Sequence, residues 1–186
     1  MTRFSLTNSP IECLVLIERT RIGDSRGFLS RVFCSDELRA AGWDKPVAQI
    51  NHTRTERRGT VRGMHFQTVP HAEMKLVSCI HGEVWDVAVD LRTGSSTFLQ
   101  WHAEHLSAEN CRALLIPEGF AHGFQVLSDS AELLYCHSEP YTPHAEAGVH
   151  PQDPKLGISW PLPIAEISER DNQRPALTPS FTGVSL

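Results

Sequence analysis

The chain has 186 residues, with 17 Lys and Arg against 22 Asp and Glu, and a formal net charge of −5. Its 40% hydrophobic and 21% charged residues lie near the globular average, which excludes a disordered or collagen-like chain, and its length suits one domain, residues 1–186, with a core that needs no staples. The acidic balance argues against a nucleic-acid binder, which carries a basic face, and no apolar run reaches the roughly 18 residues of a membrane span.

Short apolar runs dominate in chain order. Residues 14–17 read as a strand, and Gly23-Asp24-Ser25 as a turn, because all three residue types favour turn conformations. Residues 35–41 read as a helix: Ser35 as its cap, Asp36 and Glu37 in its first turn, Gly42 as its stop. The centre is strongly β. Residues 75–80 lead through His81-Gly82 into a strand over 84–91. There Trp85, Val87, Val89 and Leu91 share an apolar face, and Val84, Asp86, Ala88 and Asp90 a more polar one. Residues 114–116, 124–127 and 132–137 are further strands, and a short helical piece falls at 168–171. Many short strands separated by turn residues predict an all-β sandwich or barrel.

Five cysteines at wide spacing, with no Cys-x-x-Cys pair, argue against a disulfide framework or structural zinc site and point to a reducing cytoplasm. Ten histidines are the unusual count, and histidine is the side chain suited to acid–base or metal work near neutral pH. Three segments combine polar groups with strands. The first runs from Gln49-Ile50-Asn51-His52 to Arg62-Gly63-Met64-His65-Phe66-Gln67, the second joins Lys75 to Asp86, Asp90 and Arg92, and the third runs from Pro117 to Phe124 with Tyr135 beyond it. Pro117-Glu118-Gly119-Phe120-Ala121-His122 fits the Pro-x-Gly-x-x-His motif of cupins. The position two after His65 is Gln67, where a metal-binding cupin has His, and a metal needs three or four placed ligands. A cupin-like barrel without metal is the expectation.

Together these segments resemble the dTDP-4-dehydrorhamnose 3,5-epimerases, over about residues 11–177. Further markers of the resemblance are Asp24-Ser25-Arg26-Gly27-Phe28, Lys75-Leu76-Val77, Gly82 through Arg92, Ile158-Ser159-Trp160-Pro161 and Ser168-Glu169-Arg170-Asp171. The resemblance implies a cupin-like jelly-roll barrel with a few short helices and a homodimer. It also implies a cofactor-independent enzyme acting on a nucleotide-linked 4-keto-6-deoxy sugar, whose own ketone is the electron sink. It assigns His65 as base, Asp171 as its partner, Tyr135 as acid and Lys75 beside the developing enolate. Arg26 and Arg62 would meet the diphosphate, Gln49 and Asn51 would add neutral hydrogen bonds, Tyr141 would stack near the base, and His122 and Asp86 would stand beside the sugar. Taken alone, Asp171 reads as an exposed residue of a short helix, and Arg54, Arg57 and Arg58 as solvated loop charges. Leu29, Arg31 and Cys136 depart from the family pattern. The first two lie on the nucleotide-facing side and leave open an enzyme that inverts one carbon or takes another nucleotide. A non-catalytic sugar-binding cupin is the alternative from another class.

Overall fold

A computed structural model describes residues 2–186. Its strands run in chain order as β1 (Phe4–Asn8), β2 (Val15–Arg19), β3 (Arg21–Asp24), β4 (Gly27–Ser30), β5 (Gln49–Thr55), β6 (Thr60–Gln67) and β7 (Lys75–His81). They continue as β8 (Glu83–Asp90), β9 (Trp101–Ser107), β10 (Arg112–Ile116), β11 (Phe120–Val126), β12 (Ala131–His137), β13 (Glu146–Gly148) and β14 (Glu166–Ile167). One sheet has the order β1-β2-β10-β7-β12-β5, and the other β13-β6-β11-β8-β9, with β14 added in parallel on β6. Every other pairing between these strands is antiparallel. The two sheets close into the cupin-like jelly roll that the sequence predicts, and the β3–β4 hairpin pairs with neither.

Three apolar layers hold this arrangement. Between the sheets lie Val77, Leu114 and Leu133 from the first, against Val84, Ala88, Phe124 and Val126 from the second. Outside the first sheet, Leu38 and Trp43 cover Val15, Ile17, Leu76 and Leu115. Outside the second, Leu156, Ile158, Trp160 and Phe181 of the C-terminal segment cover Met64, Val87, Val89 and Ala121. Full burial of one such side chain is worth about 1.5–3 kcal/mol, which is why a C-terminal segment with little regular structure stays in place.

The face of β8 that carries Asp86 and Asp90 is turned away from solvent, and both carboxylates are fully buried. The strand is covered on both sides, so its alternation separates the barrel interior from an outer apolar layer instead of core from water. The helix is also shorter than its pattern: α1 covers Ser35–Leu38 and continues as a 3-10 turn over Arg39–Ala41. Ser35 is its first residue, and Cys34 occupies the cap with no side-chain hydrogen bond. So short a helix has little stability of its own and rests on burial of Leu38. Gly42 ends the turn as expected, at φ 101°. All five cysteines are free thiols, three of them buried.

Candidate active site

The barrel interior between β6, β11, β7 and β12 opens as a cleft of about 340 Å³, within the size range of small-ligand sites. His65 on β6 stands opposite His122 on β11. His65 Nε2 lies 2.5 Å from Asp171 Oδ1. The carboxylate reaches it from α2 (Glu169–Asn172), whose cap Ser168 accepts the Asp171 amide through its hydroxyl at 3.1 Å. The parallel pairing of β14 with β6 lays this segment alongside the histidine strand. Asp171 is 2% exposed, so its reading as a surface residue does not hold. Its burial alone raises the carboxyl pKa, but the hydrogen bond and charge of His65 outweigh that, helped by the Gly63 amide and Ser168, and hold it below its ordinary value.

Gly63 fixes the spacing. Its φ is +126°, and a Cβ there would meet Gly123 Cα at 2.5 Å and the His122 carbonyl at 2.8 Å. Only a pair of glycines lets β6 and β11 approach this closely while Gly63 donates its amide to Asp171 Oδ2 at 3.3 Å.

His122 makes a second buried pair, Nε2 to Asp86 Oδ1 at 2.8 Å. Tyr135, on β12 of the opposite sheet, meets the His122 ring edge-on at 5.9 Å. Burial, then the charge of Asp86, push its phenol far above the ordinary range, so it stands protonated. Lys75 on β7 directs Nζ to Glu73 Oε1 at 2.8 Å and to the His65 carbonyl at 3.4 Å. With Nε2 of His65 and of His122 each committed to its own carboxylate, no group of three or more His, Cys, Asp or Glu among the described residues is arranged to hold a metal ion.

The cleft mouth carries the more polar residues. Gln49 accepts the Tyr141 amide at 2.9 Å and donates to Asn51 at 3.0 Å. Arg62 and Tyr141 line the same opening, and the Tyr141 hydroxyl donates to Glu146 at 2.6 Å. Ten of the eleven expected site residues thus lie in or directly behind the cleft. Arg26 does not: it sits exposed at the tip of the β3–β4 hairpin, its guanidinium held by Asp24 at 2.6 Å. Asp90 and Arg92 are also elsewhere. They pair with each other at 2.8 Å and organise Ser95 and Thr97 beyond the end of β8. Arg31, one of the departures, is ion-paired with Glu37. Lining residues assigned no role from the sequence include Glu73, His137, Glu146 and Arg170. For His137 there was a signal: it shares the Tyr135 face of β12 two residues on.

A family model described as dTDP-4-dehydrorhamnose 3,5-epimerase matches residues 8–179. The chain belongs to the dTDP-4-dehydrorhamnose 3,5-epimerase family. A member from Pseudomonas aeruginosa is 46% identical over 169 residues, covering 90% of this chain and 92% of the relative. The crystal structure of an epimerase of this family from Legionella pneumophila, in complex with dTDP-4-keto-L-rhamnose, superposes with a TM-score of 0.86 at 41% identity, covering 90% of this chain and 89% of that one. A 3'-monoepimerase from Streptomyces bikiniensis, in complex with dTDP-quinovose, gives a TM-score of 0.83 at 35% identity, covering 90% and 85%. The 3,5-epimerase fold is therefore shared with an enzyme named for one inversion.

Proposed function

We propose that this chain, acting as one cupin-like unit, inverts C3 and C5 of dTDP-4-dehydro-6-deoxyglucose to give dTDP-4-dehydrorhamnose. The observation that carries the reading is the His65–Asp171 pair, its carboxylate buried and its imidazole open to the cleft, facing Tyr135 of the other sheet. Inversion requires a base on one face of a carbon and an acid on the opposite face, and opposed sheets supply both.

The C4 ketone acidifies the C–H bonds on either side of it. With His65 Nε2–H donated to Asp171, the lone pair sits on Nδ1, and that nitrogen takes the proton. Asp171 stabilises the imidazolium that forms. The C–H electron pair moves into the ketone to make an enolate, whose oxygen the Lys75 ammonium stabilises. Tyr135 then gives its proton to the carbon from the far side, and both groups re-equilibrate with solvent. The substrate's own ketone serves as electron sink, so the reading needs no cofactor. His122, held by Asp86, orients Tyr135 and the sugar. Arg62 suits the diphosphate oxygens, Gln49 and Asn51 its surroundings, and Tyr141 the base.

The reading includes a homodimer. Ile22, Phe28 and Leu29 are 43%, 60% and 66% exposed on a hairpin that joins neither sheet, a pattern that suits burial against another chain. Such an exchange would carry Arg26 to a partner's cleft, which accounts for its distance from its own. Five free thiols suit a reducing compartment such as the cytoplasm.

Product analysis by NMR after incubation with dTDP-4-dehydro-6-deoxyglucose tests the reading. Inversion at both centres is expected. Inversion at C3 alone would establish the second reading, a single-carbon epimerase, which the likeness to the 3'-monoepimerase favours. Turnover only with another nucleotide would overturn the thymidine assignment, and binding with no turnover would leave a sugar-binding cupin.

A further inference from the structure

The cleft holds a third histidine–carboxylate pair that the reaction scheme does not use. Glu73 lies just ahead of β7 with its side chain 8% exposed, and its carboxylate is a hub. Oε1 accepts Lys75 Nζ at 2.8 Å. Oε2 accepts His137 Nδ1 at 3.1 Å and Gln67 Nε2 at 3.3 Å. His137 faces Lys75 across the β12–β7 ladder and stacks on the Tyr135 ring at 5.8 Å and 18°. Its Nε2 meets the Asn51 amide at 3.4 Å. One carboxylate therefore receives side chains from three strands, and the group it holds most closely is the cation assigned to the enolate.

We propose that Glu73, itself clamped by His137 and Gln67, is a positioning residue that sets the Lys75 ammonium for enolate stabilisation. The inference rests on the epimerase reading above. The Lys75 side chain is 9% exposed, and a buried ammonium is costly unless it is paired. A long lysine side chain has many rotamers, and a fixed counter-charge selects the one aimed into the cleft. The second oxygen, bound by His137 and Gln67, keeps the carboxylate from rotating with its partner. Charge is also shared in this way. Glu73 is held below its ordinary pKa although burial, the largest influence on it, pushes the other way; His137 and Lys75 supply the opposing effect.

The test is a double-mutant cycle of E73Q and K75M, read as the rate of deuterium entry at C3 and C5 of dTDP-4-dehydro-6-deoxyglucose in D2O, with KM measured alongside. Glu73→Gln keeps the shape of the side chain and removes its charge. The expected result is a drop of roughly ten- to hundredfold in exchange at both carbons, the scale of a lost charge-assisted hydrogen bond, with KM changed less than threefold. In the K75M background E73Q should have no further effect, because a residue that acts only through Lys75 loses its influence when Lys75 is gone. Glu73→Asp, which keeps the charge one methylene back, should recover part of the rate. Thermal unfolding of each variant shows that it is folded. Additive effects of E73Q and K75M, a parallel rise in KM, or full-rate exchange by folded E73Q would each overturn the assignment while leaving the epimerase reading intact. Absence of exchange by the wild-type enzyme would overturn the epimerase reading itself, and this inference with it.

Discussion

At the residue scale, the decisive features are pairings of side chains far apart in sequence. His65 and Asp171 are brought to 2.5 Å from positions 106 residues apart, and His122 and Asp86 to 2.8 Å from 36 apart. Replacing Asp171 by Asn keeps the shape but removes the charge that stabilises the His65 imidazolium. Turnover should fall by about 10²- to 10⁴-fold, the usual range for a disabled general base, while binding of dTDP, measured calorimetrically, changes little. Equal turnover in D171N and wild type would remove Asp171 from the mechanism. His65 and Tyr135 were picked out through the resemblance to the family, and His122 through the Pro-x-Gly-x-x-His motif as well; all three line the cleft. The burial of Asp171 was not legible in sequence, because it depends on where the C-terminal segment docks. Glu73 was invisible for a similar reason: it lies outside the strand pattern, and its importance comes from the β7–β12 register, which no local spacing encodes.

At the element scale, the strand cores were readable and their surroundings were not. The run of β8 was seen within a residue of its ends, but alternation alone left open whether its polar face meets solvent or the interior, because it marks two different faces without saying what covers each. Trp101–Ser107 has no clean alternation, since this edge strand is half-buried and carries His102–Glu104 and His105–Glu83 pairs on its surface. The crossing of β6 and β11 is the tightest constraint on the site. Gly63→Ala would set a Cβ 2.5 Å from Gly123 Cα in a backbone conformation that alanine avoids. A loss of roughly 2–4 kcal/mol in denaturant unfolding is expected. Activity of the remaining folded fraction should also be lower, because the His65–His122 register must shift. A stability within about 0.5 kcal/mol of wild type, as for an ordinary surface change, would show that the strands separate more readily than the geometry implies.

At the scale of the whole molecule, buried carboxylates set the response to acid. Asp90 would be raised by its burial, but Arg92, Ser95 and Thr97 outweigh that and hold it low, and Glu73 and Asp171 are held low as well. In the unfolded chain these groups titrate near about 4. As pH falls the unfolded state takes up protons first, so the stability they confer is complete above that pH and is lost toward the depressed folded values. The unfolding temperature should be nearly level from about pH 7 to 5 and fall steeply below about 4. D90N should shallow that fall, and equally steep acid limbs in both proteins would exclude Asp90 as a contributor. Association belongs to the same scale. If the proposed dimer forms through the β3–β4 hairpin, Phe28→Ser with Leu29→Ser should shift the sedimentation coefficient from dimer to monomer and lower activity by withdrawing Arg26 from the other chain. An unchanged dimer would locate the interface elsewhere. The central claim is that one histidine–carboxylate pair abstracts protons on both sides of the substrate ketone. Proton NMR in D2O with dTDP-4-dehydro-6-deoxyglucose, run on wild type and D171N, tests it most directly. The account predicts deuterium at both C3 and C5 with wild type, and slowing at both positions together in D171N. Exchange by D171N at the wild-type rate, or its loss at one carbon alone, would contradict it.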